Sequence, residues 1–313
     1  MIPTEERDQS LAAGLPTTRD GSVVTLPSGN PLDLAGASTV LRAVHTPVVL
    51  LAGAAKAGKT TLLASLYDAF QRGPFGGYLA AGSQTLVGFE ERCFDARRSS
   101  RAVKPSTQRT KFQEGHLYYH LKLRPEDLGS QARHLFLLDM SGEWYERATD
   151  FTREANTLGA VFRRADHVVH LVNAARLASH KYRVHTQSNV SMLMRRLSQS
   201  GLLTSTMRID VLLTKWDLIL LAGGHQLAAE TDELAQALFP AQYREKVKRL
   251  RITPVAARPD HRSSLEPEFG LKGLFRDWIE ELPIKLQNLP APSQLSDSQK
   301  PFDRFGVPVH GSR

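Results

Sequence analysis

The residues whose types and spacing carry the clearest chemistry form the segment Gly53–Thr60, with the sequence Gly-Ala-Ala-Lys-Ala-Gly-Lys-Thr. Its two glycines permit backbone conformations in which consecutive N–H groups point to one side, as binding of a phosphate group requires. Lys59 supplies a positive charge for β- and γ-phosphates, and the hydroxyl of Thr60 supplies a ligand for Mg²⁺. The spacing therefore predicts a loop that binds the phosphates of a nucleoside triphosphate.

The sequence on either side supports this interpretation. The apolar run Pro47–Ala52 predicts a buried strand, and Thr61–Tyr67 has the apolar spacing of a helix. A helix that starts at the loop directs its positive N-terminus at a bound phosphate. A plain glycine turn that caps a helix is the alternative. The residues predicted to contact the nucleotide here are Gly53, Ala54, Ala55, Lys56, Ala57, Gly58, Lys59, Thr60 and Thr61.

Composition limits the class of protein. With 313 residues, 41% hydrophobic and 23% charged, the chain can fold into one large or two small domains. The single cysteine, Cys93, excludes an internal disulfide framework and fits a reducing cytoplasm. We find no apolar leader and no apolar run of membrane-spanning length, and therefore expect no membrane association. The net charge of +8 is moderate and no nucleic-acid-binding module is visible, so no nucleic-acid partner is expected.

Strand and helix patterns alternate along most of the chain. The helix after the phosphate loop should end near Arg72, where Gly73-Pro74 follows, and residues 73–111 form a long insertion with a weak helical pattern at Gln84–Arg98. The predicted strands after the insertion cover residues 116–123, 132–139, 165–173, 208–214 and 250–255, and the predicted helices cover residues 151–164, 185–200, 227–239 and 271–282. This order predicts an α/β fold with a mostly parallel sheet and helices on both faces.

Three segments follow from the same patterns. Residues 1–44 are interpreted as an N-terminal arm with a short helix between Pro31 and Val44, and residues 45–285 as the α/β domain. Residues 286–313 are rich in proline, serine and glutamine, and we expect a disordered tail there.

Ligands of an open α/β sheet bind beyond the carboxyl ends of its strands, and one such end is the segment Asp139–Glu143, Asp-Met-Ser-Gly-Glu. A carboxylate at this point can hold Mg²⁺, usually through water, and Gly142 allows its N–H to approach a γ-phosphate closely. A strand-end turn with an aspartate cap is the alternative. Trp144 and Tyr145 come next, and they suit either docking of a partner protein or packing in the core.

Another strand end carries Thr214-Lys215-Trp216-Asp217. A carboxylate there could accept hydrogen bonds from both N1–H and the 2-amino group of guanine, a donor pair that adenine lacks. Sites of this kind reject the wrong ligand by roughly 10⁴-fold. The stem of Lys215 would lie along the base. After the last strand, backbone N–H groups of Ala256 and Ala257 could reach the base carbonyl. A helix cap at Asp217 is the alternative.

Together these elements resemble the Ras-like P-loop GTPase superfamily: phosphate loop, D-x-x-G, [NT]-K-x-D and a final small-residue loop, over about residues 48–282. The resemblance implies a GTP-binding, GTP-hydrolysing switch with Mg²⁺ held by Thr60 and Asp139. It also implies that Gly142 senses the γ-phosphate and that Lys215 and Asp217 hold guanine, with Thr214 where asparagine is commoner.

The long insertion, D-M-S-G-E and T-K-W-D are more narrowly similar to the bacterial double-GTPase (DO-GTPase) families. That resemblance implies action with a partner GTPase or effector in a multi-component, conflict- or defence-like system. The histidines show no metal-binding spacing and are expected to be structural.

The expected rate of GTP hydrolysis depends on the residue after the D-x-x-G motif and on three residues of the insertion. Glu143 stands where many members have a water-positioning glutamine, and its charge beside a γ-phosphate is unfavourable, so we expect slow hydrolysis without a partner. Thr107 and Thr110 are the candidates for a switch threonine that binds Mg²⁺, and Arg109 is either an internal arginine finger or a solvated arginine. The predicted catalytic set is Lys59, Gly142, Glu143 and Arg109. An ATP-using P-loop enzyme and a nucleotide-binding scaffold with little hydrolysis remain as alternatives.

Overall fold

The computed structural model describes residues 27–101, 116–127, 131–142, 145 and 155–280. The strands in these ranges are β1 (Val48–Ala52), β2 (Tyr78–Gly82), β3 (Leu117–Pro125), β4 (Arg133–Asp139), β5 (His167–Asn173), β6 (Arg208–Thr214) and β7 (Arg249–Val255). The helices are α1 (Leu34–Ala43), α2 (Lys59–Arg72), α3 (Leu86–Arg101), α4 (Ala155–Arg164), α5 (Ala174–Ala178), α6 (Arg183–Gln199), α7 (Trp216–Ala237), α8 (Ala241–Arg244) and α9 (Leu271–Glu280).

The strands form one sheet in the order β2-β3-β4-β1-β5-β6-β7. All neighbours from β4 to β7 pair in parallel, whereas β3 pairs antiparallel with β4, and β2 pairs antiparallel with β3. Every residue of β1, Val-Val-Leu-Leu-Ala, is buried, as expected for a central strand covered on both faces. The predicted mostly parallel sheet is confirmed. Five parallel strands thus end at one edge, and β1 is the middle strand of the seven-stranded sheet.

Two cores lie on opposite faces of the sheet. Val48 and Leu50 pack with α1, α4, α5, α6 and α7, while Val49 and Leu51 pack with α2, α3 and α9. The alternation follows from the period of two in a strand. Helices therefore cover both faces, as the sequence predicts.

The predicted insertion has its own structure. It contains β2 and α3, and α3 confirms the weak helical pattern seen from Gln84. The strand β2 was not predicted, because Tyr-Leu-Ala-Ala-Gly is poor in β-branched residues and only its tyrosine is buried. Pairing with β3 extends the sheet at this side. Residues 102–115 lie outside the described residues.

Among the remaining helices, α6 and α9 agree with the sequence, and so does α4 over its described residues. The short helices α5 and α8 were not predicted, and the predicted start of α7 is wrong. Helix α7 begins at Trp216 rather than at Leu227, and non-helical dihedrals at Gly223 and Gly224 separate its two halves. The prediction captured the second half only, since the glycine pair interrupts the apolar pattern. Within the described ranges, no helix is both long and apolar enough to cross a membrane.

The N-terminal helix is confirmed as α1, where the carboxylate of Asp33 accepts a hydrogen bond from the Gly36 N–H at 2.8 Å. Just before it, Leu32 forms a bridge with Tyr118 of β3, which ties this part of the arm to the sheet. Residues 1–26 and 281–313, which include the predicted tail, lie outside the described residues.

Candidate functional site

The phosphate loop lies at the carboxyl end of β1, at the centre of the sheet. Gly53 (φ 155°), Lys56 (φ 65°) and Gly58 (φ 101°) all have positive φ. A Cβ at Gly53 would lie 2.7 Å from the backbone oxygen of Leu171, so only glycine fits there. The first glycine of the motif is therefore required by the neighbouring strand β5 as well as by its own backbone.

Lys59 is placed over the loop. Its side chain is 7% exposed, and its ammonium donates to the backbone oxygens of Gly53 (2.6 Å) and Ala54 (3.2 Å). These two hydrogen bonds fix the Lys59 ammonium above the residues that a phosphate would contact. Because the ammonium is already in position, little reorganisation of the protein is needed when charge develops on a phosphate.

Two side chains at the ends of neighbouring strands form hydrogen bonds with backbone oxygens of the phosphate loop. The hydroxyl of Thr214 lies 2.7 Å from the Ala57 oxygen. The amide nitrogen of Asn173 donates to the Lys56 oxygen at 3.2 Å, while its amide oxygen accepts from the Arg176 N–H and caps α5. Sequence reasoning missed Asn173, although a polar residue that ends an apolar strand is the signal that identified Asp139.

The D-x-x-G segment starts at the end of β4, next to β1. Asp139 is fully buried and lies in register with Leu51, whose oxygen accepts from the Met140 N–H at 3.2 Å. A Cβ on Gly142 would lie 2.7 Å from the Ala55 nitrogen, so the backbone of Gly142 packs directly on the phosphate loop. The close approach of this segment to the loop therefore requires glycine at this position.

The donor set suits a magnesium ion. Mg²⁺ prefers hard oxygen ligands and is commonly held by one or two carboxylates together with the phosphates of its substrate. The buried carboxylate of Asp139 and the hydroxyl of Thr60 are oxygen donors of this kind, at the ends of the adjacent elements β4 and α2. These two residues are the ones that would hold it.

The segment after β6 forms the second half of the site. Lys215 has a left-handed backbone (φ 61°), and Asp217 is 5% exposed with one carboxylate oxygen accepting from the Asp260 N–H at 2.9 Å. The other oxygen makes no hydrogen bond within the described part of the chain. Burial, and then the charge of Arg176, lower the pKa of Lys215, while Asp217 opposes the shift.

The loop after β7 is clamped to α2. The hydroxyl of Ser65 lies 2.7 Å from the Ala257 oxygen and 2.8 Å from the Glu268 carboxylate. Arg258, the next residue in the loop, pairs with Asp68 one turn along the helix. Ala256 and Ala257 are therefore fixed near Asp217 by contacts that the short Ala-Ala signal could not indicate.

The structure brings the predicted phosphate loop, Asp139, Gly142, Thr214–Asp217 and Ala256–Ala257 to one edge of the sheet. Tyr145 is 4% exposed and its hydroxyl forms a hydrogen bond with His170. Of the two interpretations given for Tyr145, partner docking and core packing, the structure supports core packing. Five other predicted residues lie outside the described residues, and their roles remain predictions: Glu143, Trp144, Arg109, Thr107 and Thr110.

A known protein family matches the part of the chain that contains these elements. The family model described as Double-GTPase 2 matches residues 47–279. No curated protein sequence is significantly similar to the chain.

Among solved structures, the SRb-GTP/SRX complex of the signal recognition particle receptor from Chaetomium thermophilum shares 17% identity over 71% of this chain and 95% of that chain, with a TM-score of 0.39. The GTP-bound Ski7 GTPase-like domain of S. cerevisiae shares 14% identity over 83% of this chain and 54% of that chain, with a TM-score of 0.44. Likeness at this distance does not bear on activity.

Proposed function

Because the chain belongs to the Double-GTPase 2 family, we propose that it is a molecular switch that binds GTP and hydrolyses it to GDP and phosphate with Mg²⁺. The observation that carries the choice of guanine is the state of Asp217. It is buried, one carboxylate oxygen accepts from the Asp260 N–H, and the other accepts no hydrogen bond from the residues that the structure describes. A buried carboxylate with an open acceptor position favours a ligand that brings two adjacent N–H donors, as guanine does.

The phosphate half of the site supports the same proposal. Lys59 and the N–H groups from Gly53 to Thr61 would bind the β- and γ-phosphates, and Gly142 would donate its N–H to the γ-phosphate. When bound through Thr60 and Asp139, Mg²⁺ neutralises charge on the phosphate oxygens. The ammonium of Lys59 already lies over the loop, so the chain itself supplies a fixed positive charge for the transition state.

In the hydrolysis step, water attacks the γ-phosphorus, the bond to the β–γ bridging oxygen breaks, and GDP leaves with that bond's electrons. We propose that Glu143 occupies the water-facing position, where its negative charge opposes attack and keeps the intrinsic rate low. Thr107 or Thr110 would bind the metal only with GTP present, and Arg109 is a candidate for charge stabilisation. Single-turnover phosphate release checks this: Glu143→Gln should release phosphate faster than wild type.

Family membership also motivates the biological part of the proposal. We propose that the chain acts in the bacterial cytoplasm with a partner GTPase or an effector protein, as one component of a conflict- or defence-like system. A partner that supplies a water-positioning or cationic group would compensate for Glu143. Phosphate release measured with and without a candidate partner GTPase tests this, and a rate unaffected by the partner would speak against it.

The base specificity is tested by labelled GTP, ATP and XTP binding to wild type and to Asp217→Asn. Xanthine carries a carbonyl where guanine carries its 2-amino group, so the side-chain amide of the variant can donate to xanthine but opposes guanine. We expect wild type to prefer GTP and the variant to prefer XTP. Equal GTP and ATP affinities, unchanged by the substitution, would instead identify an ATP-using P-loop protein. Tight GTP binding without phosphate release would identify a scaffold.

A further inference from the structure

Tyr145 follows the D-x-x-G segment and is buried against residues of β5 and α6. Its hydroxyl lies 2.7 Å from Nε2 of His170 on β5 and 3.4 Å from the backbone oxygen of Asn189 on α6. The tyrosine and imidazole rings also contact, with centroids 5.5 Å apart. We call the two residues that contact this hydroxyl, His170 and Asn189, the tyrosine seat.

The protons of the seat can be assigned by counting donors. Burial, and then the positive charge of Lys59, lower the pKa of His170 to about 4, so the imidazole is neutral near pH 7. Its Nδ1 is buried without a hydrogen-bond partner in the described ranges, and a proton there would be an unsatisfied donor. The proton therefore belongs on Nε2, which donates to the Tyr145 oxygen, and the Tyr145 hydroxyl donates to the Asn189 oxygen.

A backbone hydrogen bond links Tyr145 to the segment that packs on the phosphate loop. The Tyr145 N–H donates to the Ser141 oxygen at 3.1 Å, and Ser141 is fully buried. Gly142 lies between them in sequence and packs on Ala55. One end of this turn is thus fixed by the seat, and its middle touches the loop where a γ-phosphate would bind.

We propose that Tyr145 is a positioning residue: by filling its seat between β5 and α6, it holds the turn so that the Gly142 N–H faces the γ-phosphate. This inference rests on the proposed GTPase function. GDP has no γ-phosphate, so the seat contributes to binding and hydrolysis of GTP and contributes little to binding of GDP.

The test is Tyr145→Phe, which keeps the ring and removes the hydroxyl. We measure affinity for GDP, affinity for a non-hydrolysable GTP analogue, and single-turnover phosphate release. One neutral hydrogen bond corresponds to a factor of roughly 3 to 10, and we expect losses of that size in analogue affinity and release rate, with GDP affinity within about twofold. The matched control is Tyr78→Phe, which removes another buried tyrosine hydroxyl, 3.3 Å from Glu280 at the far edge of the sheet, and should leave all three values unchanged.

Variants of His170 separate positioning from mere packing. His170→Leu should reproduce the Tyr145→Phe effect, His170→Gln should restore part of it through its own amide, and the Leu/Phe double variant should be no worse than either single one. Equal losses for GDP and analogue, or no loss at all in a protein whose wild type hydrolyses GTP, would overturn the inference alone. A wild type that does not bind GTP would overturn the proposed function instead.

Discussion

Two buried aspartates lie seven residues apart in sequence, Asp210 within β6 and Asp217 just after its end, and their surroundings differ. Asp210 is fully buried, and its carboxylate accepts from Nε of Arg251 at 3.0 Å and from the indole N–H of Trp278 at 2.9 Å, with Arg249 3.6 Å away. Asp217 accepts one backbone N–H, from Asp260.

The difference separates Asp210, which holds the fold, from Asp217, which we propose binds a ligand. A buried charge is tolerated when cations and hydrogen-bond donors surround it, and Asp210 has both. Asp217 is nearly as buried but has an acceptor oxygen that the described protein leaves open. Burial alone therefore does not identify a site; the number of donors that the fold already supplies does.

The largest effect is expected for Asp210→Ala. Removing one partner of a buried ion pair leaves Arg251 and Trp278 without their acceptor, and should lower the free energy of unfolding by about 3–5 kcal/mol. Urea denaturation measures this. The preference for GTP over ATP should persist in the folded fraction. Asp277→Ala, which removes the more exposed partner of Arg251, serves as the control and should cost much less.

Asp217→Ala should show the opposite profile. We expect GTP affinity to fall by about 100-fold, because guanine's donor pair loses its acceptor, while the free energy of unfolding changes by less than about 1 kcal/mol. Labelled-nucleotide titration and urea denaturation of the same preparation give both values. A loss of stability as large as that of Asp210→Ala would abolish the contrast between the two aspartates.

Buried imidazoles extend the comparison to groups that must stay neutral. The pKa of His170 is lowered to about 4 by burial and Lys59, and that of His120 to about 4 by burial, His134 and Lys122. The unfolded chain, with a pKa near 6.5, then binds more protons below that pH, so stability is greatest above pH 6.5 and falls as pH drops. We expect about 1.2 kcal/mol per pH unit for each of these two imidazoles between pH 6 and 5. His170→Gln should lower the slope of unfolding free energy against pH by about that amount, and an unchanged slope would exclude its contribution.

The smallest effect is expected for Asn173→Ala, which tests the phosphate loop separately from the segment around Asp217. Asn173→Ala removes the bond to the Lys56 oxygen and the cap of α5, and should cost about 1 kcal/mol of stability. GTP and GDP affinities should fall together, by roughly 3- to 10-fold, with the GTP-to-ATP ratio intact. Asp33→Ala, which removes the cap of α1 far from the loop, should match the stability loss and leave affinity unchanged.

Local patterns sufficed for the parts of the molecule that are local. The phosphate loop, the alternation of strands with helices and the aspartates at strand ends all follow from short sequence windows. Asn173 did not, because the carbonyl it binds belongs to Lys56, 117 residues earlier. The strand β2 exists through its pairing with β3 rather than through its own composition. The roles of Asp210 and Asp217 differ only through residues brought near them by folding.

The central position of β1 has a thermodynamic consequence. The phosphate loop takes its shape from β1, from Leu171 of β5 and from Thr214 of β6, so it exists only when these strands are already assembled. A nucleotide that binds this loop binds the native chain and not the unfolded one. By mass action, nucleotide at 100 times its dissociation constant then adds about 2.7 kcal/mol to stability. The melting temperature should therefore rise with nucleotide concentration, whether or not any phosphate bond is broken.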